Sequence, residues 1–379
     1  MWKAQLTPTN NDGIGTFSST AEFDVQGNVM SLLYGDNYKG QTNLTGKNYA
    51  FRKLFYGNTK LKDVSKMSLP ATTLSSNCYR ATFSGCTNLI SAPELPATTL
   101  TEYCYNNMFY NCTSLTKAPE LPATTLAQWC YESMFYGCTS LTKAPELPAT
   151  TLVNRCYGNM FYGCTSLVNA PELPAATLAE YCYYNMFYGC TSLIKAPELS
   201  ATTLAENCYS QMFRDCTSLV NAPELPATIL VRHCYNIMFS GCTSLTKAPE
   251  LPATTLTYSC YGGMFQGCTS LTIAPELPAT TLAEYCYASM FHSCTSLVNA
   301  PELPATTLVS NCYSTMFRGC NRLNYIKAMF TTTPSTSYTG DWVYGVASSG
   351  TFVKNSAAQW SVTGVNGIPT NWTVQTASE

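Results

Sequence analysis

Hydrophobic and polar positions repeat along this chain with a period of 26 residues. One unit reads APELPATTLAQWCYESMFYGCTSLTK over residues 118–143, and the pattern recurs without insertion or deletion up to residue 323. A fixed period of this length is typical of repeat architectures, in which each unit is one turn of a stack and buries its apolar side chains against its neighbours. The pattern therefore predicts a solenoid of about ten units over residues 54–323.

The first part of each unit is predicted to be a short strand. Leu115, Ala118 and Leu121 are apolar with polar residues between them, which suits an extended segment with one face inward. Pro119 and Pro122 lie in the same segment. Because proline cannot donate a ladder hydrogen bond, this strand should be short or irregular.

The second part of each unit is predicted to be a helix or a helical turn. Thr125 and Gln128 have the spacing of a capping box at a helix N-terminus, and Gly137 is placed to end the helix. Between them, apolar side chains recur every four residues, as on one face of a helix: Leu126, Cys130, Met134 and Cys138. The predicted fold is thus an α/β solenoid of strand–turn–helix units.

The two ends of the chain depart from the repeat. Residues 1–53 contain the alternating stretches FSSTAEFDV (17–25) and NVMSLLYG (28–35), which predict β-strands. Residues 324–379 carry Trp342, Trp360 and Trp372 among glycine, serine and threonine. We expect both ends to be β-rich caps, because an uncovered terminal unit would expose its apolar face. The alternative for the C-terminal segment is attachment or carbohydrate stacking through its tryptophans.

All twenty cysteines lie in the repeats, two in each unit. Cys104 and Cys112 are eight residues apart, about 12 Å on a helix, whereas a disulfide needs Cα atoms within about 7 Å. Pairing between stacked units, about 5 Å apart, stays open. In the N-terminal half-unit LFYGNTKL (54–61), however, Asn58 takes the place of the second cysteine. Because asparagine cannot be a disulfide partner, buried free thiols are the favoured reading.

Composition argues against several classes of protein. Charged residues make up 11% of the chain and the net charge is −2, which is poor material for neutralising nucleic-acid phosphates. The apolar runs are far too short to span a membrane. The start MWKAQLTPTNNDG lacks the basic and apolar regions of a secretory signal. We therefore expect either that a signal has been removed or replaced, or that the protein leaves its cell by another route, such as the release of phage particles by lysis.

The MFYGCTSL segments resemble the BspA-like leucine-rich repeats of anaerobic bacteria and some protists, which carry an aromatic, a small residue, a cysteine and a leucine before an apolar–proline step. The resemblance covers residues 54–323, with three residues more per unit than the common 23-residue form. Similar 26-residue units occur in gut Bacteroides-type surface proteins and their phages. The resemblance implies an extracellular adhesion protein on a cell surface or a virion.

Two variable slots stand out when the units are compared with one another: the position before the first cysteine and the position after the phenylalanine. Their residues combine contact area with hydrogen bonding, which suits recognition. The neutral explanation is that these slots are exposed and free of packing constraints. The candidate partner-binding residues are Tyr103, Trp129, Arg155, Tyr181, His233 and Tyr285 in the first slot, and Tyr110, Tyr136, Tyr162 and Tyr188 in the second.

Other repeated columns have structural interpretations. The tyrosine after the first cysteine, such as Tyr131, is expected to form a stacked, half-buried ladder, and a strip of binding aromatics is the alternative. The glutamate column, such as Glu120, is expected to be a solvated stripe, with cation binding as the alternative. His233 and His292 are the only histidines, and neither lies in a nucleophile motif. No catalytic, cofactor or metal site is predicted.

The sequence therefore predicts a non-enzymatic adhesion protein that presents a multivalent repeat surface to a partner. The partner would be a host protein, a glycan or a bacterial surface receptor, met on a bacterial surface or a phage tail. Neither nucleic-acid binding nor membrane insertion is expected. The alternative is a structural spacer or a self-assembling subunit of a fibre or filament.

Overall fold

A computed structural model describes residues 13–377 of the chain. These residues divide into two compact units. The N-terminal unit runs up to Ala175 and includes Ala179–Leu193; the C-terminal unit comprises Ala176–Leu178 and the chain from Ile194 onward. In each unit, successive 26-residue repeats, here called coils, stack on one another through parallel bridges and backbone hydrogen bonds.

Regular secondary structure lies mainly at the ends of the chain. The N-terminal unit contains strand β1 (Phe23–Asn28), helix α1 (Ser31–Tyr34), a 3-10 turn (Gly35–Tyr38) and strand β2 (Leu61–Ser68). The C-terminal unit contains strand β3 (Tyr325–Ala328), helix α2 (Thr336–Thr339), strand β4 (Thr351–Lys354) and strand β5 (Thr373–Thr376).

The prediction of a helix in each unit is wrong. Over residues 54–323, all of them described, the segment predicted to be helical is a continuous series of turns, as in residues 102–111. Every fourth residue of the series has a left-handed backbone: Trp129 has φ 55°, Ser133 has φ 55° and Gly137 has φ 69°. A residue in this conformation breaks a right-handed helical path, so the segment advances turn by turn. We call it the turn series.

Backbone hydrogen bonds explain why the turn series replaces a helix. Its N–H groups bond alternately within the coil and to the next coil. The N–H of Asn106 donates to the carbonyl of Tyr103 at 3.2 Å, and the N–H of Tyr105 donates to the carbonyl of Cys130 in the following coil at 3.0 Å. In a helix, all of these N–H groups would donate to carbonyls of their own segment. Stacking therefore satisfies the backbone and joins the coils at once.

The helix prediction is wrong because the period of the turn series is nearly equal to the period of an α-helix. In the turn series two inward residues alternate with two outward residues, a period of four, against 3.6 for a helix. Over about three turns the two patterns place the same side chains inward. The predicted inward residues Cys130, Met134 and Cys138 are indeed fully buried. Gln128, the supposed capping partner, instead accepts a hydrogen bond at its carbonyl from the N–H of Tyr103.

Columns of aromatic rings fill the interior of both units. The tyrosine that follows the first cysteine is fully buried rather than half-buried, and it stacks on its counterparts: the ring centroids of Tyr105 and Tyr131 are 5.8 Å apart. Phenylalanines form a second column, with Phe109 and Phe135 separated by 5.6 Å. Such pairs contribute roughly 0.5–1.5 kcal/mol each beyond the burial of their area. The alternative of a binding strip is therefore wrong for the buried tyrosine column.

The opposite side of each coil carries the expected short, irregular strand. Parallel pairing is reduced there to bridges of one residue, such as Lys143 with Asn169 in the N-terminal unit and Lys247 with Ile273 in the C-terminal unit. The proline two residues after Lys143 lacks the N–H that would extend the ladder. We call this side the sheet side.

The N-terminal end is less β-rich than expected. Strand β1 pairs in parallel with β2, but it occupies only part of the predicted strand at 17–25. The predicted strand over 28–35 is wrong, since α1 and the 3-10 turn lie there. The Asn28 side chain accepts from the N–H of Met30 at 2.9 Å, and Ser31 Oγ donates to the Asn28 carbonyl at 2.8 Å. These local bonds turn the chain. Residues 1–12 of the predicted cap lie outside the described residues.

The first part of the C-terminal segment continues the stacking of the coils. Strands β3, β4 and β5 form a parallel sheet in that order, and the N–H of Phe317 donates to the carbonyl of Trp342 at 2.8 Å, as between coils. Trp342, Trp360 and Trp372 are buried, and each indole N–H donates to a backbone carbonyl. The alternative of carbohydrate stacking on these tryptophans is therefore wrong. Residues 378–379 lie outside the described part.

Candidate functional site

The outward side chains of the turn series form one surface in each unit, which we call the turn face. Both variable slots lie on it, because each belongs to an outward pair of the four-residue period. We call the slot before the first cysteine the pre-cysteine column and the slot after the phenylalanine the post-phenylalanine column. Within each unit the predicted candidates are therefore brought to one surface, although no helix lies within residues 54–323 to present them.

Residues of the pre-cysteine column have a left-handed backbone. Asparagine, which tolerates this conformation, takes the slot at Asn77, Asn207 and Asn311. At the candidate positions the slot holds large side chains with φ of 53–55°: Tyr103, Trp129, Arg155, Tyr181, His233 and Tyr285. Left-handed φ costs a non-glycine residue about 1 kcal/mol. Large side chains therefore occupy a slot whose backbone conformation is more favourable for asparagine.

Tyr103 and Trp129 form the first aromatic contact of this column in the N-terminal unit. Their ring centroids are 4.8 Å apart and their planes differ by 2°. The guanidinium of Arg80 lies over the Tyr103 ring at 5.0 Å from its centroid. Both rings are only partly buried, so their edges are exposed on the turn face. The Arg80 guanidinium lies at one end of the pair.

Arg155 continues the column with a second cation–aromatic contact. Its guanidinium lies 4.3 Å from the centroid of Tyr181, and its Nη1 is 3.3 Å from Oε1 of Glu132. Burial raises the pKa of the Glu132 carboxyl, while the Arg155 charge opposes that rise. Tyr184 meets Tyr181 edge-on at 5.6 Å. The planar guanidinium of Arg155 thus contacts the Glu132 carboxylate and the Tyr181 ring at the same time.

The post-phenylalanine column contains a closely packed stack of four tyrosines, which we call the tyrosine stack. Its successive centroid distances are 4.6, 4.4 and 4.4 Å, and its interplanar angles are 7–12°, through Tyr110, Tyr136, Tyr162 and Tyr188. Partial burial, followed by the neighbouring phenol, raises the pKa of Tyr136. Neighbouring rings cover one another's faces, so the stack offers ring edges and hydroxyl groups to a partner.

The C-terminal unit has a smaller aromatic group on its turn face. His233 meets Tyr258 edge-on at 5.2 Å, Arg232 lies over the same ring at 5.0 Å, and Tyr285 packs against it at 5.5 Å. Burial, and then the charge of Arg232, lower the pKa of His233. The other slots of the two columns are mostly polar in this unit: Asn207, Ser259, Asn311, Arg214, Ser240, Gln266, His292 and Arg318.

Several residues of the turn face were missed from the sequence. Arg80, Glu132, Tyr184 and Tyr258 contact the candidates but lie outside the two variable slots. Each occupies an outward position of the four-residue period. Had the period been read as four rather than 3.6, all the outward columns would have been recognised as one surface.

The sheet side offers shallow grooves and charge. In the C-terminal unit a groove of about 760 Å³ lies between two coils, lined by Ile194, Lys195, Pro197, Glu198, Glu224 and Pro226 among others. At Glu302 the glutamate column is paired, since Lys327 Nζ is 2.9 Å from its carboxylate.

Among residues 13–377 no cluster of three or more histidine, cysteine or acidic residues is arranged to hold a metal ion.

None of the helices within residues 13–377 has the length and apolar character needed to cross a membrane. The described helices, α1 and α2, have four residues each.

Comparison with known proteins identifies the repeat. The family model described as BspA type leucine rich repeat region matches residues 48–194, 131–272 and 207–339. Among solved structures, a leucine rich cell surface protein from Faecalibacterium prausnitzii A2-165 is similar at 16% identity and a TM-score of 0.36, over 76% of this chain and 79% of that one. TLR13 in a complex with ssRNA13 matches at 14% identity and a TM-score of 0.27, over 81% and 44% of the two chains. No curated protein matches the chain.

Proposed function

Because the chain belongs to the BspA-type leucine-rich-repeat family, we propose that it is a non-enzymatic adhesion protein whose turn face binds a receptor. The receptor would be a host protein, a glycan or a bacterial surface polymer, met outside the cell on a bacterial surface or a phage tail. The family has a leucine-rich-repeat fold, and repeat proteins of this kind present long, regular surfaces suited to interaction. The proposal assigns one of those surfaces a partner.

One observation carries the proposal: bulky, recognition-type side chains occupy a left-handed slot that asparagine fills elsewhere. Trp129 and Tyr181 have φ of 55° and 54°, while Asn77 and Asn207 hold the same slot at 59° and 56°. Folding alone favours asparagine there. Tyrosine, tryptophan and arginine are also the side chains that most often dominate binding interfaces.

The N-terminal unit is the proposed contact region. Its turn face holds Tyr103 stacked on Trp129, Arg155 on Tyr181, and the tyrosine stack. Because neighbouring rings cover one another's faces, a partner would meet ring edges, phenol hydroxyls and guanidinium groups. That chemistry suits hydrogen-bonding receptors better than sugars that stack flat on a ring. Repetition from coil to coil would let weak contacts add.

The proposed organisation keeps residues 1–53 and 324–379 as end segments that cover the array over residues 54–323. Burial of Trp342, Trp360 and Trp372 in the last segment supports its role as a cap. Repeat arrays need such ends, because an open terminal coil exposes its core.

The test uses substitutions that the backbone already accepts. Tyr103, Trp129 and Tyr181 are replaced together by asparagine, the natural occupant of the same slot. The wild-type chain is first applied to glycan and host-protein arrays, and the affinity of the variant for each hit is then measured. We expect affinity to fall by tenfold or more, the loss of at least one hot spot, in a variant that still unfolds in one cooperative thermal transition.

The matched control is Ser259→Asn, an exchange to asparagine in the same column of the C-terminal unit at a position outside the candidates, which should leave affinity unchanged. Full affinity in the triple variant would refute the turn-face proposal.

A structural role is the second candidate, supported by the last strand. All residues of β5 (Thr373–Thr376) are exposed, and β5 pairs with β4 along one edge. An exposed edge strand is a template for pairing with another chain. Light scattering of the purified chain separates the candidates: large assemblies that disappear when Val374→Lys places a charge on the exposed edge strand would support a fibre subunit. A spacer should keep its activity when one 26-residue repeat is deleted.

A further inference from the structure

The tyrosine stack brings phenol rings of consecutive coils closer together than the interior aromatic columns do. Tyr136 and Tyr162 are 4.4 Å apart between centroids, with planes 7° apart. In the buried tyrosine column of the same coils, Tyr131 and Tyr157 are 5.9 Å apart. We propose that the tyrosine stack is a site of oxidative cross-linking, at which neighbouring phenols couple into dityrosine and tie consecutive coils of the N-terminal unit together.

The chemistry requires a one-electron oxidant, such as a haem peroxidase supplied with hydrogen peroxide. Each of two phenols loses one electron and one proton and becomes a phenoxyl radical. The two radicals join through a carbon–carbon bond between their ortho positions, and the hydrogen on each joined carbon moves to its oxygen, which restores both phenols. The pair has lost two electrons and two protons, and one peroxide molecule accepts them to give two molecules of water.

The backbone holds the reacting pairs in place. In the preceding coil pair, the N–H of Asn111 donates to the carbonyl of Tyr136 at 2.6 Å; in the next, that of Gly137 donates to the carbonyl of Tyr162 at 2.7 Å. These bonds fix the register at 26 residues beside the rings. Two radicals held in contact couple much faster than radicals that must meet by diffusion, because the entropy of encounter is already lost. Coupling within one chain should therefore precede coupling between chains.

Accessibility separates the tyrosine stack from the interior column. Tyr136 and Tyr162 are half-buried on the turn face, whereas Tyr131 and Tyr157 are each 1% exposed. An enzyme or a charged oxidant reaches only the first pair. The same coils therefore contain two tyrosine columns that can be compared, one accessible to an oxidant and one inaccessible.

The experiment treats the purified chain at low concentration with peroxidase and hydrogen peroxide, then measures dityrosine fluorescence and maps the linked peptides. Trypsin cleavage after Arg80, Lys117, Lys143, Arg155 and Lys195 separates the partners of the first two pairs, whereas Tyr162 and Tyr188 stay together in peptide 156–195. A link between Tyr110 and Tyr136 joins peptides 81–117 and 118–143, and one between Tyr136 and Tyr162 joins 118–143 and 156–195. Fragmentation of the linked peptides identifies the tyrosines. We expect these links in chains that stay monomeric on a denaturing gel.

Two double variants remove the same number of phenols with different results. The stack has three neighbouring pairs. Tyr136→Phe with Tyr162→Phe removes all three, whereas Tyr110→Phe with Tyr188→Phe leaves the central pair. We expect dityrosine to disappear in the first variant and to persist in the second. Phenylalanine keeps the stacked ring, so both should fold.

Three results would overturn the proposal: no dityrosine in the folded wild-type chain, links only between separate chains, or links that map to other tyrosines. Oxidation in denaturant is the final control, since loss of the coil register should remove the preference for partners 26 residues apart. The outcome is independent of receptor binding, which the asparagine variants test.

Discussion

The side-chain amide of Asn58 donates from Nδ2 to the carbonyl oxygen of Phe17 at 3.1 Å. The same bond is made by thiols in later coils, where Cys112 Sγ donates to the carbonyl of Phe83 and Cys138 Sγ to that of Phe109, both at 3.1 Å. Asn58 is thus a functional equivalent of the second cysteine. All twenty cysteines are buried and outside any disulfide in the structure, and the second column joins coils through S–H donors.

Cys138 tests this role. The Phe109 carbonyl accepts both the Cys138 thiol and the N–H of Cys112. Replacing Cys138 by alanine should lower the free energy of unfolding by about 1 kcal/mol, the value of one hydrogen bond together with a small loss of packing. Cys138→Ser keeps a donor and should lose less. Denaturant unfolding of both variants provides the check; a serine variant less stable than the alanine variant would show that the thiol acts only as an apolar filler.

Alkaline pH should unfold the protein. Burial raises the pKa of the Cys78 and Cys138 thiols to about 12, and raises that of Tyr131 well above its ordinary value. In the unfolded chain the thiols ionise near pH 8.5–9. Stability is therefore complete below that range and falls as pH rises towards the folded values, by about 1.4 kcal/mol per pH unit for each thiol. A few thiols suffice to exceed the usual 5–15 kcal/mol of a domain.

Denaturant midpoints between pH 7 and 10 measure this fall, and a flat profile would contradict it. A thiol reagent adds a second readout. Without reductant, all twenty cysteines should react in denaturant and almost none in the native protein at pH 8. Finding no reactive thiols in denaturant would instead show disulfides between coils.

Ile237 should be replaceable with a gain in stability. Its φ is 57°, a left-handed value that a β-branched residue rarely adopts, while Asn107 and Asn159 hold the same slot in other coils. We expect Ile237→Asn to raise the free energy of unfolding by about 1 kcal/mol. Placing isoleucine in the same slot of another coil, as in Ser133→Ile, should lower the free energy of unfolding by a similar amount. Thermal unfolding of the two variants tests this prediction. A destabilised Ile237→Asn variant would show that packing of the Ile237 side chain outweighs its backbone strain.

Arg155 should stabilise the turn face most above pH 5. In Arg155→Ala the half-buried Glu132 loses its cation, so the pKa of its carboxyl rises further above the unfolded value. A carboxyl of this kind is tolerated when protonated and destabilises the fold as pH rises through its unfolded pKa. The deficit should be about 1 kcal/mol at pH 7 and smaller at pH 4. Adding Glu132→Gln should remove the pH dependence; a deficit equal at both pH values would assign it to lost packing on Tyr181.

Much of the candidate site could be predicted from the sequence, because an exact repeat aligns each unit with the others. That alignment separated the constant Tyr131 and Phe135 from the variable Trp129 and Tyr136, and the structure places the first two inside and the other two on the turn face. It could not show that Tyr131 is wholly buried, nor that the tryptophans of the last segment are core residues. Those outcomes depend on which coil covers which side chain.

The sequence by itself determined the period, the family and the inward columns, since each is a property of spacing along one repeat. Only the tertiary structure decided between helix and turn series, because every second N–H, as at Tyr105, finds its acceptor in the next coil. It likewise decided that Arg155 meets Glu132 and Tyr181, and that four tyrosines stack face to face. Contacts between residues about 26 positions apart form only when coils stack, so no pattern within a single repeat encodes them.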